Sequence, residues 1–390
     1  MLYHFPPVGM RHGIKDVMST WFESISCRDS SESLSEIVQG NMYDFCSGKA
    51  ALLTSLRVLR ELNPERKKII IPSYTCYSVA AAVEQSGLKA VLCDIRPDTL
   101  DYDFELLGKL TDADTLCILA THFFSDTADI KRIRSIADRF GCYLLEDSAQ
   151  SFDFTSDKNL SDIVIYSFGR GKPISCAGGG LLVTKNKEIS LMVKKVHSAL
   201  LRPRIPQDLR SAFSMILSDI LMNPRLYWMP AKLTFLRIGE TIYPSSIPIT
   251  KMGKFKVLWL IKRFKNRQFI FDKRNKNALY YRQVLVGSSI ASNTSPPTLN
   301  HPIRYPFYTK DTLSSYSSDV FKELNKCGVV KIYPSPLNSL SRLKAFCINC
   351  EDSFPGGEWV SEHIISLPVH PGMTKNMCKL VADKLKILTV

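Results

Sequence analysis

The chain has 390 residues, 45% of them hydrophobic and 23% charged, with a formal net charge of +14. That length is enough to bury a sizeable core and to form two domains. No apolar run reaches the roughly 18 residues of a membrane span, and the stretch from Met1 to Gly13 lacks the basic-then-apolar pattern of a signal peptide, so a soluble cytoplasmic protein is expected. The 11 cysteines are scattered, and several (Cys93, Cys117, Cys142) fall inside strand-like apolar runs, which predicts reduced core thiols and no disulfide frame. Cys347 and Cys350 form a lone Cys-x-x-Cys without a second pair at zinc-site spacing, so no metal site is expected. The positive charge is concentrated: residues 194–282 hold 19 Lys and Arg against 4 Asp and Glu. Such a patch suits an anionic small molecule, a nucleic acid, an acidic membrane surface or a partner protein.

In chain order, helical spacing predicts helices at about 48–62, 77–86, 129–140 and 187–199. Short apolar runs between them read as buried strands: Lys68–Ile71, Ala90–Cys93, Thr115–Ala120, Cys142–Leu145, Ile163–Tyr166 and Gly180–Val183. This alternation predicts an α/β large domain, residues 1–250, around a mostly parallel central sheet. Residues 201–248 mix apolar groups with Pro203, Pro206, Pro224, Pro230, Pro244 and Pro248, and read as an insertion or lid. From Met252 to Leu285 one strong helical signal leads into a smaller α+β C-terminal domain, residues 251–390, with strands at Val329–Tyr333 and Ile364–Leu367 and a closing helix over 375–387.

Chemistry is concentrated just past the strand ends, where open α/β sheets bind ligands. Ser47-Gly48-Lys49 opens a helix whose free N–H groups and dipole favour a phosphate. Cys76 and Tyr77 follow the next strand and offer a thiol or an aromatic ring to a planar group. Asp147 ends the Cys142–Asp147 run, and Lys172 sits in the Ser- and Gly-rich loop Ser167 to Gly180. Taken singly, each has a plainer explanation, since small residues start ordinary helices, a strand-end Asp often caps a turn, and a loop Lys is usually solvated. Together they supply an amine for a Schiff base, a carboxylate for a pyridine nitrogen and donors for a phosphate, which is what pyridoxal 5'-phosphate requires.

In order, these segments resemble the DegT/StrS family of sugar-nucleotide aminotransferases, which are fold-type I pyridoxal-phosphate enzymes. The resemblance is carried by Ser47–Leu52, Pro72–Thr75, Cys93-Asp94 through Pro97-Asp98-Thr99-Leu100, His122–Asp129, Glu146–Gln150, Ser167–Lys172, Gly178–Gly180 and Leu367–Thr374. It implies Lys172 as Schiff-base lysine and proton carrier, and Asp147 as partner of the pyridine nitrogen. It also implies Gln150 near the phenolic oxygen, with Ser167, Gly48 and Lys49 at the phosphate. Proton transfer by Lys172 requires its pKa to fall from about 10.4 toward neutrality. A carboxylate such as Asp147 touching a pyridinium is worth on the order of 4 kcal/mol at an effective dielectric near 20. The sequence departs from the family pattern at Cys76, where an aromatic residue is usual, at Lys49 in place of Thr, and at Ser125-Asp126 in place of Gly-Gln. Ile242–Met252 stands where the family has Asn-Tyr-Arg-Met.

The resemblance implies a homodimeric aminotransferase that moves an amino group, with glutamate as donor, to a keto sugar carried on a nucleotide, in surface polysaccharide or amino-sugar biosynthesis. Two other readings compete: a pyridoxal-phosphate lyase or transferase with a non-sugar substrate, and a non-catalytic relative with a basic binding surface. Nucleic acid is not the expected partner, because no nucleic-acid module accompanies the basic stretch. Apolar Leu217, Ile220, Leu221, Leu226, Tyr227 and Trp228 beside that stretch fit either packing of the insertion onto the dimer, with the charges solvated, or reversible contact with an acidic membrane surface or membrane-bound polysaccharide machinery. His122, His363 and His370 read as structural, with no carboxylate or cysteine at ligand spacing in the sequence.

Overall fold

The structure is a computed structural model, and it describes residues 4–9, 12–26, 34, 40–125, 128–151, 160–233, 241–285 and 301–386. The elements in chain order are α1 (Ile14–Ser26), β1 (Asn41–Phe45), α2 (Gly48–Leu62), β2 (Lys68–Pro72), α3 (Tyr77–Ser86), β3 (Lys89–Cys93), α4 (Phe104–Leu110), β4 (Thr115–Thr121), α5 (Ile130–Phe140), β5 (Tyr143–Asp147), β6 (Ile163–Ser167), β7 (Gly180–Thr184) and α6 (Lys187–Ala199). There follow α7 (Ile205–Leu221), α8 (Trp228–Lys232), α9 (Lys254–Lys265), α10 (Arg267–Val284), β8 (Arg304–Tyr308), α11 (Ser318–Lys326), α12 (Pro355–His363), β9 (Ile364–Pro368) and α13 (Lys375–Leu385).

Seven strands form one sheet in the order β1-β7-β6-β5-β4-β2-β3. Strands β2 to β6 are parallel to their neighbours, while β7 runs antiparallel to β6 and β1 antiparallel to β7. The parallel strands are mostly apolar, as burial on both faces demands, with Lys68 at the start of β2 and Glu146 and Asp147 at the end of β5. One face carries α2 and α3, whose Leu52, Leu56, Leu59, Val79 and Val83 pack on Ile69, Ile71, Leu119 and Leu145. Another core joins β6 and β7 to α1, α7 and α9 through Val17, Ala212, Met215, Phe255, Trp259 and Leu260. The C-terminal core is built on the antiparallel pair β8-β9, with Tyr281 of α10, Val381 and Leu385 of α13.

Two expectations change here. The single helix over 252–285 is broken at Asn266, where the backbone (φ −99°, ψ 13°) leaves helical geometry between α9 and α10. Helix α9 packs in the core with β6 and β7, and α10 runs from that core, at Ile270 and Phe271, to the C-terminal one, at Ala278 and Tyr281. Val329–Tyr333 is not a strand: Val330 makes one bridge to Ser366, and the partner of β9 is Arg304–Tyr308. A buried arginine and Pro306 disguise that strand in the sequence. The Arg304 guanidinium is used internally, donating to the Ser366 hydroxyl at 2.6 Å and to the Gly328 carbonyl at 2.8 Å.

Candidate active site

The C-terminal ends of β4, β5 and β6 deliver Thr121, Asp147 and Ser167 to one edge of the sheet, and the first turn of α2 faces them. The cavity between them measures about 260 Å³. Gly48, Lys49, Cys76, Asp147, Gln150, Ser167 and Lys172 all line it, together with Ser47, Ser78, Thr121, His122 and Tyr333. Of the residues singled out in the sequence, Tyr77 is elsewhere. Its ring is buried in the core between α2 and α3, and its hydroxyl lies 2.8 Å from Ser335 Oγ. Cys76, not Tyr77, therefore occupies the position at which the family has an aromatic residue.

The start of α2 is shaped for a ligand. Ser47 caps it, its Oγ accepting from the Ala50 N–H, which leaves the Gly48 and Lys49 N–H groups at the unpaired end of the helix. A Cβ on Gly48 would come within 2.7 Å of Ser167 Cβ, so only glycine lets the helix start approach β6 this closely. The loop after Lys172 needs glycine for another reason: Gly178 and Gly179 adopt φ of +129° and +121°. A side chain on Gly179 would also meet Met252, its Cβ 2.7 Å from Met252 Cε.

Behind the cavity the polar groups are held by a relay. Gln150 Oε1 accepts from the Phe124 N–H at 3.0 Å and its Nε2 donates to the Tyr333 hydroxyl at 2.8 Å. These bonds fix which side of the amide faces which neighbour. Tyr333, from the C-terminal part of the chain, was not singled out in the sequence, where it reads as part of an apolar strand. His122 changes status. Its Nδ1 accepts from the Ala128 N–H at 3.0 Å, which places the ring proton on Nε2, 2.9 Å from Glu146 Oε1. No carboxylate stands near His122 along the chain because Glu146 arrives from the neighbouring strand. Glu146 in turn accepts from Ser148 Oγ at 3.0 Å and Ser161 Oγ at 2.8 Å. His363 and His370 are tied to backbone carbonyls, of Trp359 and Pro6.

Burial pushes the Asp147 carboxyl above the usual carboxylate value, against the pull of Lys172, the Ala149 N–H and His122. A cation placed against Asp147 would relieve that desolvation. The Thr121 hydroxyl is buried on the cavity wall without a partner. A cavity with an amine, a desolvated carboxylate, an oriented amide and a bare helix start thus fits pyridoxal phosphate. No group of three or more His, Cys, Asp or Glu able to hold a metal occurs among the described residues. The described cysteines are free thiols.

This fold and this cavity define a class of enzyme. The model of the DegT/DnrJ/EryC1/StrS aminotransferase family matches residues 39–220 and 248–386, and the chain belongs to that family. Among curated proteins it is 23% identical over 344 residues to the dTDP-4-dehydro-2,3,6-trideoxy-D-glucose 4-aminotransferase of Saccharopolyspora spinosa, covering 87% of this chain and 82% of that protein. It is 31% identical over 134 residues to the UDP-2-acetamido-2-deoxy-3-oxo-D-glucuronate aminotransferase of Pseudomonas aeruginosa, covering 33% of this chain and 37% of that one. Among solved structures, Helicobacter pylori PseC, an aminotransferase involved in the biosynthesis of pseudoaminic acid, has the same fold. The TM-score is 0.74 at 17% identity over 99% of this chain and 98% of PseC.

Proposed function

We propose that the protein is a pyridoxal-phosphate aminotransferase that takes an amino group from glutamate and delivers it to a keto sugar carried on a nucleotide, in amino-sugar or surface polysaccharide biosynthesis. The observation that carries this is the meeting of Lys172, Asp147, Gln150, Ser167 and the start of α2 on one cavity, in a chain of this family. The curated relatives aminate nucleotide-linked keto sugars.

The cofactor, once bound, supplies an electron sink for breaking the bond to hydrogen at the amine-bearing carbon. Lys172 holds it and carries the proton between carbon centres. Asp147 keeps the ring nitrogen protonated, which its desolvated carboxyl favours as soon as a cation lies against it. Gln150, fixed by Phe124 and Tyr333, donates or accepts at the phenolic oxygen. The Gly48 and Lys49 N–H groups, Ser167 and the Lys49 ammonium take the phosphate. Cys76 and Tyr333 line the same cavity and would lie beside the cofactor. The test is a visible absorbance band in the purified protein that borohydride fixes onto the peptide carrying Lys172, followed by turnover of a panel of nucleotide keto sugars with glutamate. Lys172→Ala should fold, retain the dimer and lose turnover by at least about 10³-fold, the scale expected when a nucleophile and proton carrier is removed. Wild-type turnover in that variant overturns the assignment.

Two further parts of the reading concern surroundings. Family membership supports a homodimer, checked by sedimentation: an active monomer at nanomolar concentration opposes it. The surface around α1 and α7 supports reversible contact between a cytoplasmic enzyme and an anionic bilayer. Ile14, Met18, Phe22 and Ile25 form an exposed apolar stripe on α1, and Ile205, Leu209, Phe213, Leu217 and Ile220 one on α7, within the basic stretch. No described helix is long and apolar enough to cross a membrane. Co-sedimentation with anionic vesicles at low salt, fading as salt screens charge beyond about 8 Å, supports the contact. Absence of pelleting removes it.

A further inference from the structure

Strands β4 and β5 end side by side at the cavity. Thr121 and Asp147 are partners in the parallel register, and the His122 N–H donates to the Asp147 carbonyl just beyond them at 3.2 Å. Neighbouring strands lie about 4.8 Å apart, and partners in register point to the same face. Both side chains accordingly line the cavity.

The two are unequally provided for. The Thr121 hydroxyl is buried and has no hydrogen-bond partner. Asp147 Oδ1 accepts from the Ala149 N–H at 2.9 Å, against a desolvation that holds the carboxyl above its usual value. A carboxylate has about four acceptor sites, so one backbone donor leaves room for more. The other titratable groups facing Asp147 are Lys172, His122, Glu146 and Tyr333. His122 is held between the Ala128 N–H and Glu146, and the Tyr333 hydroxyl takes the Gln150 amide. Lys172 is the amine reserved for the cofactor. Thr121 is thus an idle donor beside an acceptor with sites to spare. Valine would fill the same space in this otherwise apolar strand, and an unpaired buried hydroxyl is destabilising, whereas a hydrogen bond to an ionised group is among the strong ones.

We propose that Thr121 is a positioning residue for Asp147: once the pyridinium of the cofactor lies against the carboxylate, the Thr121 hydroxyl donates to that carboxylate and fixes its aim at the ring nitrogen. The bond forms by rotation about χ1, with the strands staying in place. The proposal rests on the pyridoxal-phosphate reading for the cation, and on the idle buried hydroxyl for the donor. Thr121 acts through Asp147 and not on the cofactor itself.

The experiment measures binding to protein stripped of cofactor, for wild type, Thr121→Val and Thr121→Ser. The probes are pyridoxal 5'-phosphate and an analogue in which carbon replaces the ring nitrogen, so that no cation faces Asp147. Thr121→Val should weaken pyridoxal-phosphate binding by about tenfold, the scale of one hydrogen bond to a charged group, and Thr121→Ser should restore most of it. The carbon analogue should bind wild type and Thr121→Val alike. Stripped Thr121→Val should melt at the wild-type temperature or above it, because valine removes an unpaired buried hydroxyl. If Thr121→Val does not fold, Thr121→Ala carries the same binding comparison. Equal pyridoxal-phosphate affinity in wild type and variant overturns the role of Thr121 and leaves the aminotransferase reading standing. Equal losses for both probes, or no recovery in Thr121→Ser, overturn its action through Asp147. A wild type that binds no pyridoxal phosphate overturns the functional reading, and this inference with it.

Discussion

Helix α2 buries 10 of its 15 residues, whereas α7, at 17 residues, buries only Asp208, Ala212 and Met215. Both are amphipathic, and the difference lies in what faces them. Beneath α2 run β6 and β7, with α3 and α6 on its flanks, so its apolar side is covered and its N-terminus is held rigidly at the active site. Helix α7 rests on α1 and α9 at the margin, and Leu209 and Phe213 remain 47% and 63% exposed. An amphipathic pattern therefore specifies a helix without specifying that both of its apolar edges will be covered. The layer that supports chemistry is the one in which they are.

The largest expected effect tests whether the α7 side is also the acid-labile side. His12, whose backbone N–H bonds Asp219 of α7 beside that of Gly13, and His370 are buried and neutral, their pKa values drawn down to about 3 and about 4 by desolvation first, with neighbouring arginines adding to it and, at His370, the bond to the Pro6 carbonyl opposing it. A depressed folded-state value means that the unfolded chain takes up protons first. Stability is then fully present above about pH 6.5 and is lost as pH falls toward 4 and then 3, by on the order of 3 kcal/mol for His370 alone. Urea unfolding across this range should show the loss, with hydrogen exchange rising first in α1 and α7. A flat profile from pH 7 to 4, or exchange rising first in α2, breaks the comparison.

Leu56→Ala on α2, at a fully buried position, should cost about 3 kcal/mol, as truncation in a packed core does. Denaturant midpoints at constant slope measure it, and a cost below about 1 kcal/mol would mean that this layer is looser than its burial implies. Gly48→Ala should leave that stability nearly intact while weakening cofactor retention by about tenfold to a hundredfold, because the added methyl collides with Ser167 and drives the helix start off β6. Unchanged cofactor retention in Gly48→Ala would show that the helix start does not hold the phosphate. Leu209→Ser on α7 should change stability by less than about 0.5 kcal/mol and yet reduce vesicle binding. A large stability loss there would show that α7 is covered in solution, by a second copy of the chain.

Most of the sheet was legible because strands buried on both faces are short, unbroken apolar runs, as at Thr115–Ala120 in the parallel part and Gly180–Val183 in the antiparallel part. The helices over 48–62, 77–86 and 187–199 were legible for the complementary reason: capped, periodic segments separate those runs. What escaped depended on partners far away in sequence. Arg304 looks like a surface residue until Ser366 and Gly328 take its donors. Strand β1 carries Asp44, a polar residue at a buried position, which is satisfied only by His197, Arg202 and the Met252 N–H. In the site, Lys172 and Asp147 were singled out by their order and spacing, and Gln150 by the family resemblance. Tyr333 and the Glu146–His122 contact did not, since each forms between segments brought together by the fold. Asp126, also remarked in the sequence, lies outside the described residues.

The Lys251 N–H donates to the Leu201 carbonyl at 3.0 Å, and Asp44 accepts from both the Arg202 guanidinium and the Met252 N–H. The chain thus departs from the sheet and comes back at a single point. What happens in between is topologically a closed excursion, tethered to the body among the described residues by Ala212 and Met215, by Asp219 at His12 and Gly13, and by Thr241, Tyr243 and Ile247. Doubling the length of such a loop adds only about 0.6 kcal/mol of closure entropy. Length and surface character there are free to drift while β1, the start of α2 and the cofactor cavity stay as they are. For descent with modification this is a splice point: a lineage could acquire a new docking face, or shed one, without touching the residues that do the chemistry.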